Sequence, residues 1–176
     1  MSNKRHRITR VTTRQGDSGK THLADGTSVG KDSTIIAAIG EVDELNSHVG
    51  VLVTLLTNDH LAKRCRQIQQ QLFDLGAHLA TQGSVDAPGV SHLEETTAAM
   101  NEALPPLTEF VLPGGTAAAA AAHVARSVCR RAERALWAAE QTDGARYLNR
   151  LSDFFFVFAR ALNVGGDMPE DQWRGI

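Results

Sequence analysis

The chain has 176 residues, 42% of them hydrophobic, which is enough for one domain with a real core and too few for two. A formal net charge of −2 excludes a global field drawing the protein to nucleic acid or acidic lipid. Its two cysteines, Cys65 and Cys129, form no C-x-x-C unit and no metal-ligand spacing, so a reducing compartment is the simplest setting.

No apolar run approaches the ~20 residues that cross a bilayer. The basic stretch Met1–Arg10 lacks the apolar segment of a secretion signal. The expectation is a soluble, cytoplasmic protein without nucleic-acid or membrane partners.

In chain order, residues 1–32 show no sustained periodicity and carry Gly16, Gly19, Gly26 and Gly30, which predicts a loop region with room for brief extended pieces. Asp32 or Ser33 then caps a first helix with an inward stripe of Ile35, Ile39, Val42, Leu45, Val49, Leu52 and Leu56. Asn58-Asp59 breaks it. A second helix carries Leu61, Cys65, Ile68, Leu72, Leu75 and Leu79, alternating steps of four and three. Residues 82–90 read as a surface connection. Ser91-x-x-Glu94 reads as a capping box for a short third helix that Pro105-Pro106 ends.

Pro113-Gly114-Gly115 precedes a fourth helix from about Thr116 to Glu140, whose six alanines, Ala117–Ala122, favour close helix packing. Asp143-Gly144 predicts a turn into a last helix over residues 145–164, with Leu148, Leu151, Phe155, Phe158 and Leu162 inward. The run Phe154-Phe155-Phe156 reads as core and interface. The fold class is therefore all-α: a single domain over 1–176, with a loop-rich 1–32, a five-helix bundle over 33–164 and a tail over 165–176.

Two segments carry the chemistry. Thr13-Arg14-Gln15-Gly16-Asp17-Ser18-Gly19-Lys20-Thr21 is a glycine-rich run able to wrap phosphates with backbone N–H groups, the hydroxyls of Thr13 and Thr21, and the charges of Lys20 and Lys31. It is not a Walker A loop: position 14 is Arg instead of Gly, and neither the preceding strand nor the following helix is present. On the fourth helix Arg126, Arg130 and Arg134 share one sector, with His123 and Glu133 beside them and Val124, Ala125, Val128, Ala132, Ala135 and Leu136 opposite.

Like charges at i, i+4 repel and need counter-charges, from protein acids or from a polyanionic ligand. A solvated face with a Glu133 pair is the simpler alternative. Asp43 and Asn46 on the first helix, and Asn149 and Asp153 on the last, supply further polar groups. Among seven histidines no H-x-x-H or H-E-x-x-H spacing occurs, so no protein-ligated transition metal is expected.

These blocks, together with Lys31-Asp32, Gly40–Asn46, Phe110–Thr116, Arg126–Arg134 and Leu148–Asp153, resemble the PduO-type ATP:cob(I)alamin adenosyltransferases. The six blocks occur in order and span most of the chain. The resemblance implies a homotrimer with active sites between subunits. It further implies transfer of the 5′-deoxyadenosyl group of ATP to cob(I)alamin, with Mg²⁺ on the phosphates and release of triphosphate.

The resemblance assigns ATP binding to Thr13, Arg14, Gly16, Asp17, Gly19, Lys20, Thr21, His22 and Lys31, and to Arg130, Glu133, Arg134 and Asn149. Asp43 and Arg126 become a pair joining across the subunit boundary, and Phe110 the aromatic against the lower corrin face. Gln15 departs from the small or hydroxyl residue frequent there, and Lys20-Thr21-His22 varies the end of the loop. A cobalamin reductase and a B12-dependent acceptor enzyme are the implied partners. The competing readings are a non-catalytic ATP-sensing or scaffold protein, and a phosphohydrolase or kinase.

Overall fold

The computed structural model describes residues 12, 14 and 16–174. Five helices form the body: α1 (Thr34–Leu55), α2 (Asp59–Ala80), α3 (Ser91–Glu102), α4 (Ala117–Ala138) and α5 (Thr142–Gly165). A two-stranded antiparallel hairpin, β1 (Lys20–His22) and β2 (Ser28–Gly30), realises the brief extended pieces expected before α1. The packing order follows the apolar stripes. α4 packs chiefly on α5, α1 joins α4 to α2, and α3 lies on α5.

Leu45, Leu52, Leu72, Leu75, Leu79, Leu136, Leu148, Leu151, Phe154, Phe155 and Phe158 are fully buried. Each such side chain contributes about 1.5–3 kcal/mol of transfer free energy. The alanines of α4 let α5 approach, with Ala119, Ala122, Ala125 and Ala132 all at zero exposure. Burial pushes the Cys65 thiol up to about 12 and the Cys129 thiol well above its usual value, so both behave as small apolar groups.

Several boundaries differ from the sequence expectations. Ser91 is not an N-cap: Val90 occupies that position and no side-chain cap forms, because Glu94 instead takes the guanidinium of Arg150 at 2.8 Å. Asp143-Gly144 is not a turn but part of the first turn of α5, which begins at Thr142. There Gly144 is buried, and a Cβ would meet Leu136 Cδ2 at 2.6 Å and Leu75 Cδ1 at 2.8 Å, so glycine lets α5 start against the core. Asn46 leaves the polar side of α1: it is buried, and its Nδ2 donates to Gln69 O of α2. Val124, which the helical period sets opposite the arginines, is exposed. Asn58 is the α2 N-cap, its Oδ1 accepting from His60 N and Leu61 N.

Beyond α5 the tail turns back. Leu112 N donates to Asp171 O and Trp173 N to Phe110 O, both at 2.8 Å, and Val111 pairs with Gln172 in a single antiparallel bridge.

Candidate active site

The segment between α3 and α4 presents Phe110 to solvent, 79% exposed. Leu107 and Leu112 of the same segment and the neighbouring Trp173 are exposed as well, and exposed apolar side chains grouped in this way point to contact with something outside the chain. The Phe110 backbone is nonetheless fixed by the bonds to the tail, and its ring meets Trp173 edge-on with centroids 6.5 Å apart. Phe110 borders an open hollow of about 580 Å³, with Val111 and Pro113 on its own side and His123, Arg126 and Phe156 on the helical side. Phe154 and Phe155 are core as expected, whereas Phe156 turns to this hollow and meets the His123 ring edge-on.

A second hollow of about 470 Å³ continues along α4. It shares Pro113 and His123 with the first and is lined by Ser127, Arg131 and Arg134. The arrangement sets an apolar surface beside a cationic helix face.

That face carries charge the protein does not neutralise. Among the described residues, Arg130 and Arg134 are exposed and form no ion pair, and Arg126 Nε is buried without a hydrogen-bond partner. Burial, and then the neighbouring Arg130, lower the Arg126 pKa, though a guanidinium stays charged. His123 is 5% exposed, with Nδ1 unpartnered. Its pKa is lowered by burial first and by Arg126 second, only partly countered by Glu170, so the ring is neutral near neutral pH.

Glu133 does not pair with an arginine of the row; it accepts from Asn149 Nδ2 at 3.2 Å, which orients the Asn149 amide towards α4. Arg150 Nη1 in turn donates to Asn149 Oδ1 at 2.6 Å. Among the described residues of α4, the arginine that is neutralised is Arg131, which the sequence does not single out. Its Nε donates to Glu41 at 2.6 Å and its Nη2 to Glu44, raising its pKa and tying α4 to α1. Glu41 and Glu44 lie within reach of α4, yet among the described residues Arg126, Arg130 and Arg134 form no ion pair.

The N-terminal candidates form a separate group. Arg14 adopts a left-handed conformation (φ 62°), and a turn follows in which Gly19 N donates to Gly16 O. Lys31 N donates to Gly19 O at 2.9 Å, and the Lys31 ammonium lies against Gly16. Gly16, Gly19, Lys20, Thr21 and Lys31 therefore sit around one turn and the strand pair it feeds, with Asp17 and His22 at its edges. Ser33, which caps α1 directly after Lys31 and Asp32, keeps its Oγ buried and unpartnered. That hydroxyl was missed by sequence reading, which took Ser33 only as a possible cap. Thr13 and Gln15 lie outside the described residues.

The chain does not bring this group to the arginine row. The hairpin's anchors run to the end of α2: Ala24 N donates to Ala80 O at 2.9 Å and Gln82 Nε2 to Asp25 Oδ2 at 3.0 Å. Asp43 is exposed on α1 and forms no ion pair with Arg126 within the chain.

An all-α bundle with an exposed aromatic beside an uncompensated cationic row, and a glycine-rich loop before the first helix, defines a class of anion-handling helical enzyme. Residues 11–162 match the family described as Cobalamin adenosyltransferase, and the chain belongs to that family. It is 49% identical over 180 residues to the cobalamin adenosyltransferase of Cupriavidus metallidurans, covering 96% of each chain. It is 41% identical to the corrinoid adenosyltransferase of Mycobacterium leprae, covering 95% of this chain and 96% of that one. Among solved structures it is similar to a PduO-type ATP:corrinoid adenosyltransferase from Lactobacillus reuteri complexed with cobalamin and ATP, a variant with one phenylalanine replaced by alanine. There the TM-score is 0.89 and identity 35%, over 94% of this chain and 100% of that one.

Proposed function

We propose that the protein transfers the 5′-deoxyadenosyl group of ATP to cob(I)alamin, forming adenosylcobalamin and releasing triphosphate. One observation carries the reading beyond family membership: Phe110 stands exposed but fixed over a hollow whose opposite wall leads directly onto unpaired arginines. A corrin fits the apolar side and a polyphosphate the cationic side.

Reduced cobalt supplies the nucleophile, the ribose C5′ accepts it, and the C5′–O bond breaks as triphosphate leaves. The protein therefore needs no base for the attack; it needs position and charge. Phe110 acts as an apolar wedge against the lower corrin face, excluding an axial ligand so that Co(II) becomes four-coordinate and easier to reduce. Arg130, Arg134 and Lys31 stabilise the charge that accumulates on the leaving triphosphate. Glu133 holds Asn149 by its amide, and Asn149 lines the nucleotide. Arg14, Gly16, Asp17, Gly19, Lys20, Thr21 and His22, with Thr13 before them, wrap the phosphates through backbone N–H groups and hydroxyls. Mg²⁺ fits this donor set as an ion held mainly by phosphate oxygens, where it would neutralise charge.

The separation of the two groups of ligands within one chain supports a homotrimer whose sites lie between subunits, with the N-terminal segment of one chain meeting the arginine row of the next. In that assembly Asp43 supplies the partner that Arg126 lacks in its own chain. Breaking a partly buried pair by removing one member costs about 3–5 kcal/mol. A double-mutant cycle on Asp43→Asn and Arg126→Gln, read on trimer dissociation, is expected to show strong coupling, and additivity would remove the contact. The whole chain acts as one domain in the cytoplasm, taking electrons from a cobalamin reductase and passing its product to a B12-dependent enzyme.

The decisive experiment identifies the phosphate product with reduced cobalamin present. Intact triphosphate with a new cobalt–carbon bond is expected. Orthophosphate or ADP would instead indicate a hydrolase or kinase, and no turnover a nucleotide sensor.

A further inference from the structure

α5 buries two polar side chains one turn apart, Arg160 at 3% exposure and Asn163 at 4%. The apolar stripe of this helix has no use for either, and a buried ion pair contributes little net stability of its own. Their partners all lie outside the helices. Arg160 Nε donates to Glu170 Oε1 at 2.9 Å, and its Nη2 donates to Glu170 Oε2 at 3.1 Å and to Pro105 O at 2.8 Å. Asn163 Oδ1 accepts from Thr116 N at 3.0 Å and its Nδ2 donates to Gly114 O at 3.1 Å. A Cβ on Gly115 (φ 98°) would collide with the Asn163 amide.

Both ends of the segment carrying Phe110 are thereby pinned to one helix, at Pro105 and at Gly114–Thr116. Its middle is held differently. Among the described residues the Phe110 and Leu112 backbones bond to the tail, through Trp173 N and Asp171 O, and the Phe110 ring meets Trp173 edge-on. The tail in turn is fastened by Glu170, whose carboxylate takes both Nε and Nη2 of Arg160.

We propose that Arg160 and Glu170 are positioning residues for Phe110: their ion pair locks the tail across the Phe110 segment and so fixes where the ring stands over the hollow. The inference rests on the wedge role given to Phe110 above. It adds that the wedge is set by a residue pair that touches neither substrate. A steric wedge loses effect when its support slackens, whereas phosphate contacts elsewhere do not depend on this support.

The test compares wild type, Phe110→Ala, Glu170→Gln and the double variant as intact enzymes with ATP bound. It reads the fraction of four-coordinate Co(II)alamin by magnetic circular dichroism and EPR, together with the kcat for adenosylation and the KM for ATP. Glu170→Gln keeps shape and one hydrogen bond but loses the charge-assisted fork. It is expected to lower the four-coordinate fraction and to reduce kcat about ten- to a hundredfold, the scale of a small misplacement, with the KM for ATP unchanged. In the Phe110→Ala background the same substitution is expected to change the four-coordinate fraction no further. Glu170→Asp is expected to recover part of the loss.

A wild-type four-coordinate fraction in Glu170→Gln overturns the inference, as does a fully additive loss in the double variant. If Glu170→Gln loses cooperative unfolding, Arg160→Lys is read in its place. Unfolding of both overturns the proposal, because a pair that positions a loop leaves the bundle core standing. Failure of wild type to form the cobalt–carbon bond, or normal behaviour of Phe110→Ala, refutes the adenosyl-transfer or wedge reading instead.

Discussion

The segment bearing Phe110 and the hairpin bearing Lys20 and Lys31 both project the proposed ligand-contacting groups from outside the helices, but among the described residues buried polar side chains pin only the first, while the hairpin buries the apolar Leu23. Arg160 and Asn163 pin its ends and the tail bonds its middle. The hairpin relies on its own turns, on Leu23 and on two hydrogen bonds at the end of α2. The difference matches what the proposed function asks of each group. An apolar wedge acts by contact, and a gap of about 0.5–1 Å already forfeits roughly a quarter to a half of each contact. Phosphate binding is Coulombic and falls off slowly with distance, so a looser loop is drawn into place by the ligand's own charge.

That contrast is sharpened first at Arg130, which stands exposed on α4 and forms no ion pair among the described residues. Removing one preorganised donor to developing charge costs about 10²–10³ in kcat. Arg130→Ala is expected to fall in that range at saturating ATP and reduced corrinoid, measured by the absorbance change on adenosylcobalamin formation. Near-normal turnover would take Arg130 out of the site.

Phe110→Ala should split the reaction at a different place. Starting from Co(II)alamin and a reductant, the rate is expected to drop about ten- to a hundredfold while the KM for ATP stays close to wild type. Starting from pre-reduced Co(I), the loss should be smaller if the wedge proposed for Phe110 assists reduction. Equal losses on reduction and on ATP affinity would contradict the wedge.

Most of the bundle was legible because its signal repeats. Val42, Leu45, Val49 and Leu52, or Cys65, Ile68, Leu72 and Leu75, recur often enough that one misplaced residue changes nothing. Local two-residue signals were weaker. Asp143-Gly144 has turn chemistry, yet Gly144 serves tight packing against Leu136 and Leu75. Ser91-x-x-Glu94 has the capping spacing, but Arg150, 56 residues away, claims the glutamate.

The arginine row was visible as spacing; that its acids go to Arg131 instead required three-dimensional neighbours on α1. Arg160 and Asn163 left a faint trace, two polar residues three apart inside an apolar stripe, which periodicity treats as noise. The resemblance named Phe110 directly. What supports it came only from the fold.

At the hairpin the expected effects are smaller. Lys31 lies against Gly16 and bonds Gly19 through its backbone, so Lys31→Met removes one charge while leaving the turn. The KM for ATP is expected to rise about tenfold, roughly 1.4 kcal/mol, with kcat less affected than in Arg130→Ala. A loss of kcat as large as at Arg130, without a change in KM, would mean that this loop is as preorganised as the helix face and would erase the contrast.

The smallest effect is one of pH, at the junction of the two hollows. His123 is held neutral by burial and by Arg126, with Glu170 partly opposing. Its folded pKa thus lies below the unfolded value of about 6.5. Below that value the unfolded chain binds a proton that the folded ring refuses, so stability falls with decreasing pH, by at most about 1.4 kcal/mol per pH unit from this group. Above it both states are neutral and the contribution is flat. In chemical denaturation between pH 8 and 5, His123→Gln is expected to show a shallower loss than wild type on the acid side and a parallel curve on the alkaline side. A steeper acid loss in the variant would mean that the imidazole is charged in the folded protein, stabilised by Glu170, and that the wall facing Phe110 carries two cations instead of one.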